Sequence, residues 1–433
     1  MTTTSPHLQQ RGGLWWVPSL AFIGAMPYIV AQQLSTVLYK NLGISNGEIT
    51  FYTSLLYLPW VIKPLWAPLI DIFKSKRFWV ICMQMLIGAG MMALALSLQT
   101  PYFFALSLVV FWLIAFASAT HDIAADGFYM IALNPHEQAA FVGVRSMFFR
   151  IANIIGGGVP VILVGMMNKK TADMAQAWSY VLMLVAAFFI ALLSYHCFIL
   201  PKPSADTSAL GESAGKLTAK QVLIEFAATF KAFFMKKQVW FSVAFILLFR
   251  LGEAQALKVV GLFMLDPREA GGLGLSNQEY GIVYSVVGII ALTLGGLLGG
   301  WLIARHGLKK MLWIMVAAIH LPNFSFVFLA WLQPDSLWII SAALAVEQFG
   351  YGFGFTAFMM YMMMISDGPQ KTSHYALCTG FMAAGMMFPG AFSGDLSRYL
   401  GYTNFFVWVC VCTVPGLVMT AFLKIDDAYG KKQ

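Results

Sequence analysis

The sequence predicts an all-α integral membrane protein: twelve transmembrane helices in two six-helix halves, with both termini cytoplasmic. Three observations predict it. Of 433 residues, 59% are hydrophobic and only 11% charged, against roughly 25% charged in ordinary soluble domains; too few polar groups remain to cover a soluble surface. Twelve apolar stretches approach or exceed the roughly 20 residues that a spanning helix needs. The third observation is an internal repeat, in which the chain carries the same signals twice.

The stretches run 14–39, 49–70, 78–99, 102–131, 139–167 and 177–200 in the first half. In the second they run 239–265, 279–304, 309–332, 337–366, 374–400 and 402–424. Helices are expected because unpaired backbone groups are too costly in hydrocarbon, and the alternation of barrel strands is absent. With the N-terminus inside, the cytoplasmic segments hold 17 Lys and Arg: Arg11, Lys74, Lys76, Arg77, six between Lys202 and Lys237, Arg305, Lys309, Lys310, Lys371, Lys424, Lys431 and Lys432. Five fall on the other side: Lys40, Lys169, Lys170, Arg268 and Arg398. That bias places both ends inside, so the net charge of +8 reports topology and no nucleic-acid partner is invoked. No cleavable leader is read at the start, since the first apolar run is long enough to span. Cys82, Cys197, Cys378, Cys410 and Cys412 all fall within spans without metal-ligand spacing; they read as buried thiols, and neither metal nor cofactor is expected.

The repeat is specific. "LGISNGE" (42–48) recurs as "LGLSNQE" (273–279). Each carries a capping box, Ser45 with Glu48 and Ser276 with Glu279, at the start of the second helix of its half. "APLIDIFKSKR" (67–77) is echoed at matched distance by "GWLIARHGLKK" (300–310). The domains follow: an N-terminal six-helix half at 1–200, a cytoplasmic linker at 201–238, and a C-terminal half at 239–433. The linker opens on the polar "PKPSADTSALGESAGK". Val222, Phe226, Phe230 and Phe233 then share one helical face, which suits either an amphipathic helix on the inner leaflet or a plain tether. Two parallel six-helix repeats are the arrangement of major-facilitator transporters.

"KPLWAPLIDIFKSKRFW", "ASATHDIAADGFYMIALNPHEQAA" (117–140), "RLGEAQA" (250–256), "EQFGYGFGFTAFMMYMM" (347–363) and "YALCTGFMAAGMMFPGAFSGDLSRYLGYTNFF" (375–406) resemble the corresponding segments of AmpG-type muropeptide permeases. These belong to the peptide/acetyl-coenzyme A transporter branch of the major facilitators, and the resemblance spans nearly the whole chain. Two positions depart from the pattern: His121 stands where the family often has Gln, and Ala304 where the second basic loop usually has Asp. Asp71 is kept in the first loop, and with Arg77 and Arg305 it marks the expected gating loops.

"HDIAADGFY" (121–129) sets Asp122 and Asp126 four apart, on one helix face. Arg145 and Arg150 on the fifth span fall at matching depth if the two spans are antiparallel. Each charge costs roughly 2.5–3.5 kcal/mol at mid-membrane on insertion scales, so a charge network is expected among these four. In the second half Arg250 and Glu253 are three apart and can pair, Lys258 follows, and Glu347 has no base on its own helix. By the resemblance, spans 1, 4, 7 and 10 line the cavity. Gln32, Gln33, Tyr28, His121, Gln255, Gln348 and Tyr351 are then the candidate substrate-binding residues. Glu347 leads the proton-coupling candidates, followed by Asp122, with Asp126 and Glu253. His196 and His320 read as structural, and the glycines of spans 5, 8 and 10 as packing sites ahead of hinges. The reading is a proton-coupled importer, monomeric, of the bacterial inner membrane, carrying a polar muropeptide-like solute by alternating access. A siderophore or a nucleotide thioester is the alternative cargo. His121 and Asp126 also match an H-x4-D acyltransferase pattern, but positions five apart point about 140° away from each other at 3.6 residues per turn, so no enzyme is expected. A channel is disfavoured because no filter-like sequence is present.

Overall fold

In the computed structural model, residues 12–44, 46–206, 219–275 and 277–431 are described. Ser45 and Ser276 of the capping boxes lie outside them, as do Arg11, Lys216 and Lys432 of the charge count. Helix is the regular secondary structure of the described residues, with no strand among them.

Helix α1 runs Gly13–Asn41 and carries Pro27 in its interior. One turn later the helix widens into a π segment at Val30–Leu34, the kind of bulge that often marks a functional position. The second expected span is broken into α2 (Asn46–Leu55), α3 (Leu58–Ile62), a 3-10 turn at Lys63–Leu65, and α4 (Ala67–Ile72). Pro59, Pro64 and Pro68 each remove a backbone donor here, and three removals in ten residues cannot sustain one helix. Long helices follow: α5 (Lys76–Ser97), α6 (Phe103–Ala132), α7 (Pro135–Thr171) and α8 (Met174–Ile199). The linker contributes α9, Ala219–Phe234. Its Thr229 and Phe233 are buried, whereas Leu223 and Ile224 are exposed.

The seventh expected span is interrupted. Helix α10 (Val239–Phe249) ends at Arg250, and α11 (Leu251–Leu265) begins just after it. Beyond lie α12 (Ile282–His306), α13 (Leu308–Leu332) and α14 (Leu337–Ser366). Helix α15 (Lys371–Val411) runs on through Gly401, where φ is 73° and ψ 159°; a left-handed residue at that point falls at the expected boundary between the eleventh and twelfth spans. Helix α16 covers Val414–Ala421. Nine helices among the described residues are long and apolar enough to cross a membrane.

The chain forms two compact units. The first gathers Met1–Leu133, Met147–Thr229 and Gly368–Ala376; the second gathers Asn134–Ser146, Phe230–Asp367 and Leu377–Gln433. In the second unit glycines allow helix backbones to meet. A Cβ on Gly350 would stand 1.9 Å from Ala318 O, and one on Gly352 2.1 Å from Leu292 O. These contacts account for the glycines of α12 and α14 as packing sites. In the first unit Gly156 and Gly157 likewise meet Met26 and Gln33, while Gly158 has open space.

Each half closes on itself in the same way. After α8 the chain returns, and the Asp206 carboxylate accepts the Lys76 and Arg77 amides at 2.7 and 3.0 Å. Arg77 in turn donates to Cys197 O at 2.6 Å and Leu200 O at 3.3 Å. After α16 the tail returns to the start of α13, where Leu308 N–H donates to Tyr429 O at 2.9 Å and Lys309 pairs with Asp427 at 2.5 Å. Helix starts leave orphan N–H groups that acidic and carbonyl oxygens satisfy.

Candidate functional site

In the first unit the proline-broken segment places Lys63 on its 3-10 turn, with the side chain 7% exposed. Its ammonium is ion-paired and hydrogen-bonded to Asp122 on α6, whose side chain is 42% exposed. Asp126, one turn further and buried, also acts on the same ammonium. Asp122 holds the ion pair, and Asp126 adds a favourable field at the same ammonium. Lys63 is a partner that the sequence reading, which set Asp122 and Asp126 against Arg145 and Arg150, did not name. The physical reason lies in Pro64 and its neighbours, which stop the helix and turn Lys63 toward α6. Arg145 and Arg150 are half-buried on α7, and they fall in the second and first units respectively.

Beside this pair sits an aromatic wall. Tyr28 meets Tyr57 and Trp60 edge-on, at centroid distances of 6.2 and 5.2 Å. Tyr28, Tyr57 and Trp66 pack against a buried cluster of Ala31, Trp60, Ala115 and Ala119. Such rings offer apolar faces with polar tips. Gln32 and Gln33 both fall within the π segment; Gln33 donates to Asn153 at 2.8 Å.

His121 lies away from this wall, 1% exposed. Its Nε2 is 3.0 Å from Gln84 Nε2; Gln84 Oε1 is 3.0 Å from His196 Nδ1, and His196 Nε2 is 3.0 Å from Ser19 Oγ. The chain His121–Gln84–His196–Ser19 ties α6, α5, α8 and α1 together inside one bundle. It explains why His121, placed on helix 4 by the sequence reading, faces neighbouring helices: Asp122 is 100° around the same helix.

At the end of this unit Asp71 is 2% exposed. It pairs with Lys76 at 2.9 Å and accepts the Ser373 amide at 3.0 Å and its hydroxyl at 2.5 Å. Ser373 is in the first turn of α15, so the carboxylate sits where the helix dipole favours it. Lys371 donates to Met130 O at 3.1 Å, at the end of α6.

The second unit carries its own charge pair at the break between α10 and α11. The Arg250 guanidinium donates from Nε at 2.9 Å and from Nη2 at 2.6 Å to the two oxygens of Glu253. The same Nη2 donates to the Tyr351 hydroxyl at 2.9 Å. The Arg250 Cζ lies 5.5 Å from the Tyr351 ring and 4.9 Å from the Phe355 ring. This i,i+3 pair agrees with the sequence expectation. Glu347 is buried and accepts from Gln348 at 2.8 Å. Gln255 is turned to α15, where it meets Trp408 at 3.0 Å and bonds Cys412 at 3.3 Å. Lys258 is exposed on α11. Arg305 stacks over Trp301 at 5.4 Å. His320 packs edge-on against Phe249 at 4.9 Å.

Sequence reasoning missed Lys63 and Gln84. Both carried a signal: each is a lone polar residue in an apolar run, "WVIKPLW" and "ICMQMLIG". Such residues in membrane segments need a partner, and tertiary contact supplies it.

Comparison with known proteins agrees with this architecture. The chain is 26% identical over 408 residues to an anhydromuropeptide permease of Escherichia coli, covering 92% of this chain and 77% of that one. It is 23% identical over 418 residues to the putative transporter AmpG 4 of Rickettsia conorii, covering 94% and 95%. Among solved structures, a variant of the E. coli fucose:proton symporter superposes with a TM-score of 0.68 at 14% identity, covering 95% of this chain and 98% of that one. The proton:xylose symporter XylE gives 0.64 at 13%, covering 97% and 96%. The sequence profile of the Major Facilitator Superfamily matches residues 17–374, and the chain belongs to that superfamily of membrane transporters.

Proposed function

We propose that this protein imports anhydromuropeptides across the bacterial inner membrane, driven by protons, through alternating access of the halves at 1–200 and 239–433. The observation that carries the reading is the near full-length likeness to an anhydromuropeptide permease, in a chain whose two units each hold a buried-side cation bonded to a carboxylate. The cargo is a sugar bearing a short acidic peptide. Tyr28, Tyr57 and Trp60 offer flat faces for a sugar ring, and Gln32, Gln33 and Gln348 offer amides for its acetamido and peptide groups. Arg250 and Lys63 supply positive charge for carboxylates. A buried ion pair is a poor stabiliser compared with apolar packing, which favours a working role for both pairs.

Coupling resides in Glu347, Asp122, Asp126 and Glu253, whose charge changes as each is exposed to either side; Glu347 leads the set for net proton transfer. Asp71, Arg77 and Arg305, at helix ends beside the expected gating loops, help to fasten the bundle end bearing the linker. The protein works as a monomer. Uptake into right-side-out vesicles of labelled anhydromuropeptide, a siderophore and a nucleotide thioester tests the reading. Saturable, pH-gradient-dependent uptake of the first alone is expected. Uptake of either other solute without the first overturns the cargo assignment.

A further inference from the structure

At the break between α10 and α11 the Arg250 guanidinium is already in a carboxylate-recognition geometry. Its edge is filled by both oxygens of Glu253, its faces by Tyr351 and Phe355. Planar two-point pairing and aromatic stacking are what distinguish a guanidinium from an ammonium as a carboxylate receptor. Arg250 and Glu253 are each 8% exposed at the side chain, so neither is dissolved in bulk water. Tyr351 and Phe355 are only half-buried, which leaves an approach from the α14 side.

We infer that Arg250 binds a carboxylate of the cargo in place of Glu253, and that Glu253 takes up a proton when it is displaced. This rests on the reading of the cargo as an acidic muropeptide and names the group recognised. The exchange balances. Before it, one guanidinium is paired with one carboxylate. Afterwards the guanidinium is paired with the cargo carboxylate, while the proton from the outer water sits on a Glu253 oxygen as a neutral acid. Net charge at the site is zero in both states, so cargo entry strands no charge in the membrane. A cargo carboxylate arriving without the proton would leave one anion in excess, which low-dielectric surroundings penalise. Coupling thus follows from two acids competing for one base.

On its own helix Glu253 is paired with Arg250. From α14 the Tyr351 hydroxyl bonds the same guanidinium, and Glu347 lies one turn earlier on that helix, buried. Beside the neighbouring Gly252, a Cβ would stand 2.6 Å from Val409 O and 3.1 Å from the Thr413 methyl. His320 lies behind Phe249.

The test uses the full-length protein in nanodiscs and two probes: anhydromuropeptide, and the same molecule with every peptide carboxylate amidated. Calorimetry in buffers of different ionisation enthalpy counts protons taken up on binding. The native protein is expected to bind the acid about tenfold or more tightly than the amide, the scale of a charged hydrogen-bonded contact, and to take up a proton with it. Glu253→Gln, isosteric with the protonated acid, should bind the acid without proton uptake and lose the pH dependence of affinity. Arg250→Gln with Glu253→Gln keeps a neutral bonded pair and should bind acid and amide alike. Equal affinity of the native protein for both probes overturns the inference, as does proton uptake that persists in Glu253→Gln. If the native protein binds neither probe, the cargo reading has failed. N-acetyl-trialanine and its C-terminal amide then decide the inference alone: the acid must protect Arg250 of Glu253→Gln from phenylglyoxal and the amide must not, and equal protection overturns it.

Discussion

Removing Asp122 should harm the protein more than removing its partner, and removing both should repair most of the damage. The pair is lopsided: the Lys63 side chain is 7% exposed and that of Asp122 42%. Asp122→Asn strands an ammonium in the bundle. Losing one partner of a fully buried pair costs about 3–5 kcal/mol. Asp126 still acts on the ammonium and Asp122 is half-open to water, so about 2–3 kcal/mol is expected here. Lys63→Met leaves a carboxylate that can hydrate and should cost about 1 kcal/mol. The double variant should resemble Lys63→Met, giving a coupling of about 2–3 kcal/mol, well outside the additivity error of about 0.3–0.5 kcal/mol. Reversible unfolding of the full-length protein in mixed detergent micelles measures all four corners of the cycle. Additive losses, with Asp122→Asn not relieved by Lys63→Met, would show that the two charges do not depend on each other.

Glu347→Gln should abolish uphill accumulation in vesicles yet retain exchange of labelled for unlabelled cargo; accumulation that survives under an imposed pH gradient removes Glu347 from the coupling set. Asp71→Ala leaves Lys76, itself 4% exposed, without its carboxylate and the first turn of α15 without its acceptor. Maleimide labelling of Cys378, buried on α15, should then become faster, and an unchanged rate would mean that Asp71 does not hold that helix. Gly350→Ala forces a Cβ to within 1.9 Å of Ala318 O and should cost about 1–3 kcal/mol or more by overpacking. Gly158→Ala meets no atom within 4 Å and should be neutral or stabilising by up to about 1 kcal/mol; equal thermal losses in the two would refute the packing role assigned to these glycines.

Much of the fold was legible because lipid imposes a simple rule: apolar length and internally satisfied backbone. The run lengths therefore located the helices, and Gly401 stood at the expected boundary between the last two. The Arg250–Glu253 pair was equally readable, since three residues apart on a helix is a local relation. What the sequence could not supply was everything nonlocal. The stretch 49–70 read as one span; its prolines break it, and the break aims Lys63 at Asp122. Helical depth matched Asp122 with α7, but depth says nothing about which face a neighbour presents. The His121–Gln84–His196–Ser19 chain joins residues up to 177 positions apart, and Asp71 meets Ser373 across 302. Such pairings are set by how helices rotate and pack against one another. Composition and periodicity are properties of one segment at a time, so they determine that helices form and where each one ends. The partners of the charges they carry are decided only when those helices come together, because a buried charge takes whichever counter-charge packing brings within reach.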